Sequence, residues 1–416
     1  MVRHSATLAL DEALRARQAA GQRVLHLGFG EAGLPVPATV ADVLAGAAGR
    51  NGYGPVAGSP EARRAAAGWF SRRGLPTEAG HVLFAPGSKA LLFALLTALP
   101  GDVVLPTPAW VSYAAQSALA GKRVIGVPVP AEAGGVPDPE RLARVLREER
   151  PGVLVLTVPD NPTGTVARPE HVRAVCELAG RHGLAVIADE IYTELIHDAR
   201  APARPAALLP ERTVVTCGLS KSMALGGWRI GFARLPAGPF GDALMTELTG
   251  IASEVWSSLA APMQAVAAHV LDEPPEVRAH IAAARRLHAG VARAVHAEFT
   301  AAGADCRPPE AGFYLYPDFG PLRPALAARG LDGAAALADA LLAEHGVGVL
   351  PGDAFGDDPR ALRFRVATSL LYGETEAERR AALHGGDPLA LPWIAAALTR
   401  LRAALTALPS GPRRTP

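Results

Sequence analysis

Cys217-Gly218-Leu219-Ser220-Lys221-Ser222-Met223-Ala224-Leu225-Gly226-Gly227-Trp228-Arg229-Ile230-Gly231 follows directly on a short apolar strand, Thr213 to Thr216. It sets one lysine, and a few residues later one arginine, among small side chains that would let a large flat ligand lie close to the backbone. A lysine attacks carbonyl carbons, and its commonest covalent role is a Schiff base. An arginine offers a fixed fork of donors suited to phosphate. Alone, two such residues between turns read more readily as a solvated loop. The decision falls to the rest of the chain.

Outward from this stretch the chain alternates strand and helix. Val82 to Phe84, Asp102 to Leu105, Arg123 to Val129, Val153 to Val158 and Leu184 to Ala188 read as strands. Between them Ser88 to Leu99, Val111 to Leu119, Pro139 to Glu149 and Pro169 to His182 read as helices. This rhythm predicts an α/β fold, with a mostly parallel sheet, right-handed crossovers and helices on both faces. Ligands of such sheets sit beyond the carboxyl ends of the strands. Gly87-Ser88, Trp110, Asn161 and Asp189 each follow closely on one of those ends.

Further on, Val277 to Phe299 reads as a long helix leading into a smaller α+β domain. There Phe313 to Tyr316, Val347 to Leu350 and Leu362 to Ala367 read as strands, and Ala334 to Glu344 and Ile394 to Leu405 as helices. The expected division is an N-terminal segment 1–45 joined to the small domain, a large domain 46–285, the small domain 286–408 and a frayed tail 409–416. Near the start, residues 5–20 read as a helix and Val24 to Leu27 as a strand. Gly28-Phe29-Gly30-Glu31-Ala32-Gly33 matches the dinucleotide fingerprint G-x-G-x-x-G. That fingerprint must open a helix, which Pro35 and Pro37 forbid, and no acidic residue stands about 20 positions on. It is read as a glycine-rich loop.

Composition narrows the function classes. The 416 residues are 49% hydrophobic and 19% charged, as in an ordinary globular protein. With 41 Lys+Arg against 40 Asp+Glu, the net charge of +1 makes no case for nucleic acid or an anionic membrane. Cys176, Cys217 and Cys306 are too dispersed for a disulfide framework or a C-x-x-C metal pair, so no metal and a reducing cytoplasm are expected. The apolar run from Ala90 to Pro100 is too short to span a bilayer. Asp11 and Glu12 precede any sustained apolar run, which argues against a secretory signal.

Several residues suit one chemistry, and each has a plainer reading. Asp189 ends the apolar strand Ala185-Val186-Ile187-Ala188-Asp189. A carboxylate buried there needs a cationic partner, and a protonated pyridine nitrogen is one; a strand-end cap is the plainer reading. Asn161 and Tyr192 can hydrogen-bond a ring phenolate, although Asn161-Pro162-Thr163-Gly164 by itself is an ordinary turn. Gly87-Ser88-Lys89 opens a helix whose free N–H groups favour phosphate, or Ser88 simply caps it. Trp110 can stack on a flat ring or belong to the core. Arg363, in Leu362-Arg363-Phe364-Arg365-Val366, can grip a carboxylate if it points inward, and is exposed otherwise. An aldehyde at Lys221, a phosphate at Arg229 and a pyridine at Asp189 are together the demands of pyridoxal phosphate.

Taken in order, these pieces resemble the fold-type I pyridoxal-phosphate aminotransferases, specifically the prokaryotic subgroup of aspartate aminotransferases. The likeness covers roughly residues 3–372. It runs through Ser5-Ala6-Thr7, Gly30-Glu31, Tyr53-Gly54-Pro55 and Trp110-Val111-Ser112-Tyr113. It continues through Asn161-Pro162-Thr163-Gly164, Asp189-Glu190-Ile191-Tyr192, Ser220-Lys221, Gly227-Trp228-Arg229-Ile230-Gly231, Gly312-Phe313-Tyr314 and Pro351-Gly352.

The resemblance implies that Lys221 is the Schiff-base lysine and proton shuttle, and that Asp189 partners the pyridine nitrogen. Asn161 and Tyr192 then lie on the ring oxygen and Trp110 on the ring face. Gly87, Ser88, Lys89, Ser220 and Arg229 lie on the phosphate side, and Tyr53 reaches the phosphate of the other subunit of a homodimer. Arg363 is implied as the clamp on the substrate α-carboxylate, with Gly30 a backbone contact to it. Lys89 is placed where that subgroup contacts acidic side chains. Thr7 and Arg3 lie on the segment that closes over the substrate. Asp160 and Cys217 stand where the subgroup usually has asparagine, the usual short N-terminal extension is missing, and Gly373 to Pro388 is longer than expected.

The implied activity is ping-pong transfer of an amino group between an L-amino acid, aspartate- or glutamate-like, and a 2-oxo acid. Competing readings are a lyase or cyclase of the same fold, or a transaminase for neutral, aromatic or secondary-metabolite amino acids. A transcriptional regulator on the same fold would need a DNA-binding module, for which there is no room before Ser5. A Ser-Lys hydrolase would need S-x-x-K, and Ser220 and Lys221 are adjacent instead.

Overall fold

The computed structural model describes residues 4–130 and 133–411, so Arg3 and part of the expected tail lie outside the described residues. In chain order the strands are β1 (Leu25–His26), β2 (Val82–Pro86), β3 (Val103–Thr107), β4 (Val124–Pro128), β5 (Val153–Thr157) and β6 (Ala185–Asp189). They continue as β7 (Thr213–Gly218), β8 (Ile230–Arg234), β9 (Tyr314–Leu315), β10 (Val347–Gly348), β11 (Leu350–Pro351) and β12 (Phe364–Ala367). Among the described residues no helix is long and apolar enough to cross a membrane.

A 7-stranded sheet in the order β2-β8-β7-β6-β5-β3-β4 forms the centre of an α/β fold. β5 (VLVLT) and β6 (AVIAD) are buried at every position, as strands covered by helices on both faces must be. β3 to β7 run parallel, and β8 alone runs antiparallel to both of its neighbours, β2 and β7. This reversal matters for the site. The start of β8 meets the ends of β2 and β7, with Ile230 opposite Pro86 and Gly231 opposite Gly218. Gly231 tolerates no side chain, because a Cβ there would lie 2.3 Å from the backbone of Gly87 and Ser88.

The 27-residue helix Pro275–Ala301, about 40 Å long, leads to the smaller α+β domain. Arg402 of the last long helix, Pro392–Ala407, bonds Glu298 on it with both nitrogens at 2.9 and 2.7 Å. The smaller unit holds a 3-stranded sheet, β11-β12-β9, and the parallel pair β1-β10. The apolar run Val347 to Leu350 is therefore two strands in two sheets, Val347 pairing with Leu25 and Leu350 with Arg365. The stretch from Gly373 onward contains the helix Glu376–His384, opened by a reciprocal cap between Thr375 and Glu378. The segment 28–33 opens no helix; the next helix starts at Ala38, beyond Pro35 and Pro37.

At one face of the central sheet Phe232 of β8 packs edge-on against Trp69 at 5.5 Å and Phe70 at 5.6 Å, with Phe84 at 5.8 Å. All four rings are buried. Truncating Phe232 to alanine removes the centre of this group, and the expected loss is about 3–5 kcal/mol of stability. Urea unfolding followed by tryptophan fluorescence measures it.

Candidate active site

The ends of β2, β3, β5, β6 and β7 and the start of β8 open into one cleft of about 390 Å³, which Tyr314 and Arg365 of the 3-stranded sheet also line. Of the residues singled out in the sequence, Thr7, Gly30, Ser88, Lys89, Trp110, Asn161, Asp189, Tyr192, Ser220, Lys221 and Arg229 all line it. Gly87, Tyr53 and Arg363 do not. Gly87 lies just behind the wall: its φ is 87°, and a Cβ there would be 2.2 Å from Nη2 of Arg229. A side chain at Gly87 would displace the guanidinium from the mouth of the helix Ser88–Ala98. Tyr53 is 95% exposed on its loop.

Asp189 is the most constrained group. It is buried at the last position of β6, and Tyr113 Oη donates to its Oδ2 at 2.8 Å while lying 2.7 Å from Thr157 Oγ1. Burial raises the pKa of Asp189 to about 6, against the opposing pull of Tyr113, Thr216, the Ile191 backbone and Lys221. Its Oδ1 is buried without a hydrogen-bond partner among the described residues. A protonated ring nitrogen supplies both the missing donor and the missing positive charge. The pyridine of pyridoxal phosphate fits this atom.

Lys221 lies on the short helix Leu219–Ser222 that follows β7, and its Nζ donates to the Gly30 carbonyl. The phenol of Tyr192 meets that of Tyr314 at 3.0 Å. Burial raises the Tyr192 pKa well above the ordinary phenol value, so the group is a neutral donor at physiological pH. Trp110 stands at the N-cap position of the helix Val111–Leu119, edge-on to Tyr113 at 5.2 Å and with Lys89 Nζ 5.3 Å from its ring centre. The N-terminus of the helix Ser88–Ala98 and Arg229 converge on the same end of the cleft. The free N–H groups and the helix dipole there favour an anion such as phosphate.

Arg363 corrects an expectation. Its guanidinium turns away from the cleft toward Asp357, at 3.2 Å, and Asp318, at 3.7 Å, and it is 34% exposed. Arg365, two residues on, lines the cleft instead. That side chain is 1% exposed, bonds the Gly28 carbonyl at 2.7 Å and Asn161 Oδ1 at 3.3 Å, and lies over the rings of Tyr314 and Phe355. The two arginines are two residues apart and so share a face of the strand. Only the inner one reaches the cleft.

Tyr113, Thr157 and Tyr314 also belong to the site and were given no role in the sequence. Thr157 ends β5, so the strand-end rule alone would have found it. Of the two departures from asparagine, Asp160 is buried, and its Oδ2 accepts from the hydroxyl and amide of Thr163. A Cβ on Gly135 would lie 2.4 Å from the Asp160 side chain, so the two are closely packed. Cys217 is buried, with its thiol toward the Glu190 carbonyl at 3.8 Å.

The sequence and fold have close relatives. Residues 23–371 match the family model described as aminotransferase class I and II. The aspartate aminotransferase of Geobacillus stearothermophilus is 34% identical, over 90% of this chain and 95% of that relative. The aspartate/prephenate aminotransferase of Cereibacter sphaeroides is 33% identical, over 88% and 92%. The solved structure of the aspartate aminotransferase of Thermus thermophilus with maleate superposes with a TM-score of 0.82 at 29% identity, covering 97% of both chains. With the cleft, its lysine and its buried carboxylate arranged as described, this chain belongs to the class I and II aminotransferases, the pyridoxal-phosphate-dependent enzymes of fold type I.

Proposed function

We propose that the chain moves an amino group between a dicarboxylic amino acid, aspartate or glutamate, and a 2-oxo acid. The carrying observation is the charge of the cleft, where Lys89, Lys221, Arg229 and Arg365 face a single carboxylate, Asp189. A phosphate at Arg229 and an α-carboxylate at Arg365 leave Lys89 for a second carboxylate. Burial, then Arg229, then Lys221 lower the pKa of Lys89, so an anion beside it relieves a cost already present in the fold. The relatives support the same substrate class: they include aspartate aminotransferases, and the Thermus thermophilus enzyme was solved with maleate, a dicarboxylate.

Pyridoxal phosphate, when bound, supplies the electron sink that makes the Cα–H bond of an attached amino acid acidic. The protein supplies position and proton handling. Asp189 would keep the ring nitrogen protonated, and Tyr113, itself bonded to Thr157, holds the carboxylate in orientation. Arg365 takes the α-carboxylate in paired bonds, with Asn161 and the Gly28 carbonyl fixing the plane of its guanidinium. That grip sets which bond at Cα stands toward Lys221. Lys221 would hold the cofactor through its amine and, when that amine is free, would serve as the base that moves the Cα proton. One site serves both half-reactions, which imposes ping-pong kinetics.

Replacing Arg365 by lysine should lower kcat/KM for every amino donor by roughly 100-fold, as two charge-assisted bonds become one. Arg363→Lys should stay within about threefold of wild type in the same steady-state assay. The reverse ranking would restore Arg363 as the clamp.

A second reading of Lys89 is favoured by its closeness to Arg229: it balances the phosphate and ignores the substrate side chain. The readings separate in Lys89→Met. If Lys89 reads the side chain, kcat/KM for aspartate and glutamate falls by ~10- to 100-fold while alanine and phenylalanine change little. A uniform fall across a donor panel, with products identified by mass, would assign Lys89 to the cofactor and open the site to neutral or aromatic donors.

A homodimer is part of this reading, since the exposed Tyr53 stands on the loop that resembles the family's contact with a second copy, and the dispersed free cysteines suit a reducing compartment such as the cytoplasm. The Tyr53 phenol would hydrogen-bond the cofactor phosphate of the partner's site. Sedimentation should give twice the chain mass, and Tyr53→Phe should weaken cofactor binding by about 0.5–1.5 kcal/mol in equilibrium dialysis. A fully active monomer would contradict both.

A further inference from the structure

Tyr314 has no role in the chemistry above, yet its hydroxyl sits where three parts of the site meet. It lies 3.0 Å from the Tyr192 oxygen. It fills the space a side chain on Gly30 would need, since a Cβ there would be 2.2 Å from the Tyr314 oxygen. Its ring carries the Arg365 guanidinium at 4.8 Å. The residue cannot move easily. Its backbone is paired with Ala367 in the β9–β12 ladder, and its carbonyl presses on Gly164, where a Cβ would lie 2.1 Å away. Phe313 and Tyr192 wall the ring at 4.7 and 5.5 Å, and the side chain is fully buried.

A rigidly held phenol beside a second phenol does something a phenylalanine would not. A phenol oxygen that accepts a hydrogen bond becomes a stronger donor through its own O–H. We infer that Tyr314 is a positioning residue for Tyr192: its hydroxyl donates to the Tyr192 oxygen, turns the Tyr192 proton toward the cofactor ring oxygen, and strengthens that donation. The inference rests on the pyridoxal-phosphate reading of the cleft and adds a residue that acts through Tyr192 without touching the cofactor. The charged groups facing the pair are Arg365 from β12, Asp189 from β6 and Lys221 from the segment after β7. All three are retained in the test.

A stronger donor on the ring oxygen stabilises the negative charge that appears when the adjacent Lys221 nitrogen, joined to the cofactor, loses its proton. Removing the relay therefore makes that proton harder to lose. In a spectrophotometric pH titration of the holoenzyme without substrate, the Tyr314→Phe midpoint should rise by about half a pH unit, one bond removed from the group that titrates. Tyr192→Phe should raise it further. The double variant should match Tyr192→Phe alone, because Tyr314 then has nothing to act through. Tyr316→Phe, whose phenol bonds Asp357 outside the cleft, should leave the midpoint unchanged. KM for the amino donor should stay near wild type while kcat falls a few-fold.

An unmoved midpoint, or a midpoint shift that persists undiminished in the Tyr192→Phe background, overturns the inference. A raised KM with an unmoved midpoint overturns it in favour of a direct contact between Tyr314 and the substrate carboxylate. Should wild type form no chromophore with pyridoxal phosphate, the cofactor reading falls and the inference with it. A titrating wild type with a silent Tyr314→Phe removes the inference alone.

Discussion

A carboxylate fully buried at the end of a central strand is costly unless something positive meets it. Asp189 is that group, and much of the site can be understood as its surroundings. Tyr113, on the helix after β3 and itself bonded to Thr157 at the end of β5, holds one oxygen, and the other is left for a ligand donor. Asp189 without a cationic ligand titrates near 6, so the cost is carried by the apo protein and relieved on binding. A protonated pyridine would thus be bound partly because the fold has already buried its counter-ion. The same logic extends to Lys89, whose burial among cations makes an anion welcome.

The second organising constraint is the direction of β8. Parallel strands deliver their ends to one edge of a sheet, which accounts for Trp110, Asn161, Asp189 and Lys221 arriving together. Arg229 precedes a strand, and it joins them only because β8 runs the other way. Gly218 and Gly231 are small because backbones crowd at that junction, and Gly87 because its φ is positive and the Arg229 guanidinium fills the space beside it. The phosphate end of the cleft and the lysine end are consequently two ends of one short connection, residues 219–229.

Much of this was legible in the sequence. β-branched runs bounded by turns located β5, β6 and β7, and the strand-end rule brought Ser88, Asn161 and Asp189 forward before any geometry. The helices Ala38–Ala47 and Ala261–Leu271 were not assigned: they are alanine-rich with weakly marked polar faces, so periodicity carries little contrast. Tyr113 and Tyr314 were quoted within motifs but given no function, since a phenol's role depends on what lies 3 Å from its oxygen. The choice between Arg363 and Arg365 was illegible for a definite reason. Period-two alternation fixes the face of a strand residue, and both arginines have the same face; only how far the strand runs past the cleft separates them.

That shared face has a consequence for folding. Sliding β12 by one residue would turn Leu362, Phe364 and Val366 out of the core, and the hydrophobic effect forbids it. Sliding it by two would keep an alternating pattern and bring Arg363 in place of Arg365, yielding a chain that looks native on one side and holds its substrate at the wrong depth. Little in the apolar pattern opposes this error. Asp357 and Asp318 do: they pair with Arg363 outside the cleft, and moving that arginine inward would take away their cation. The outer arginine and its acids serve as an index mark on the strand, making the depth of the catalytic pocket a matter of charge pairing where hydrophobicity alone is indifferent.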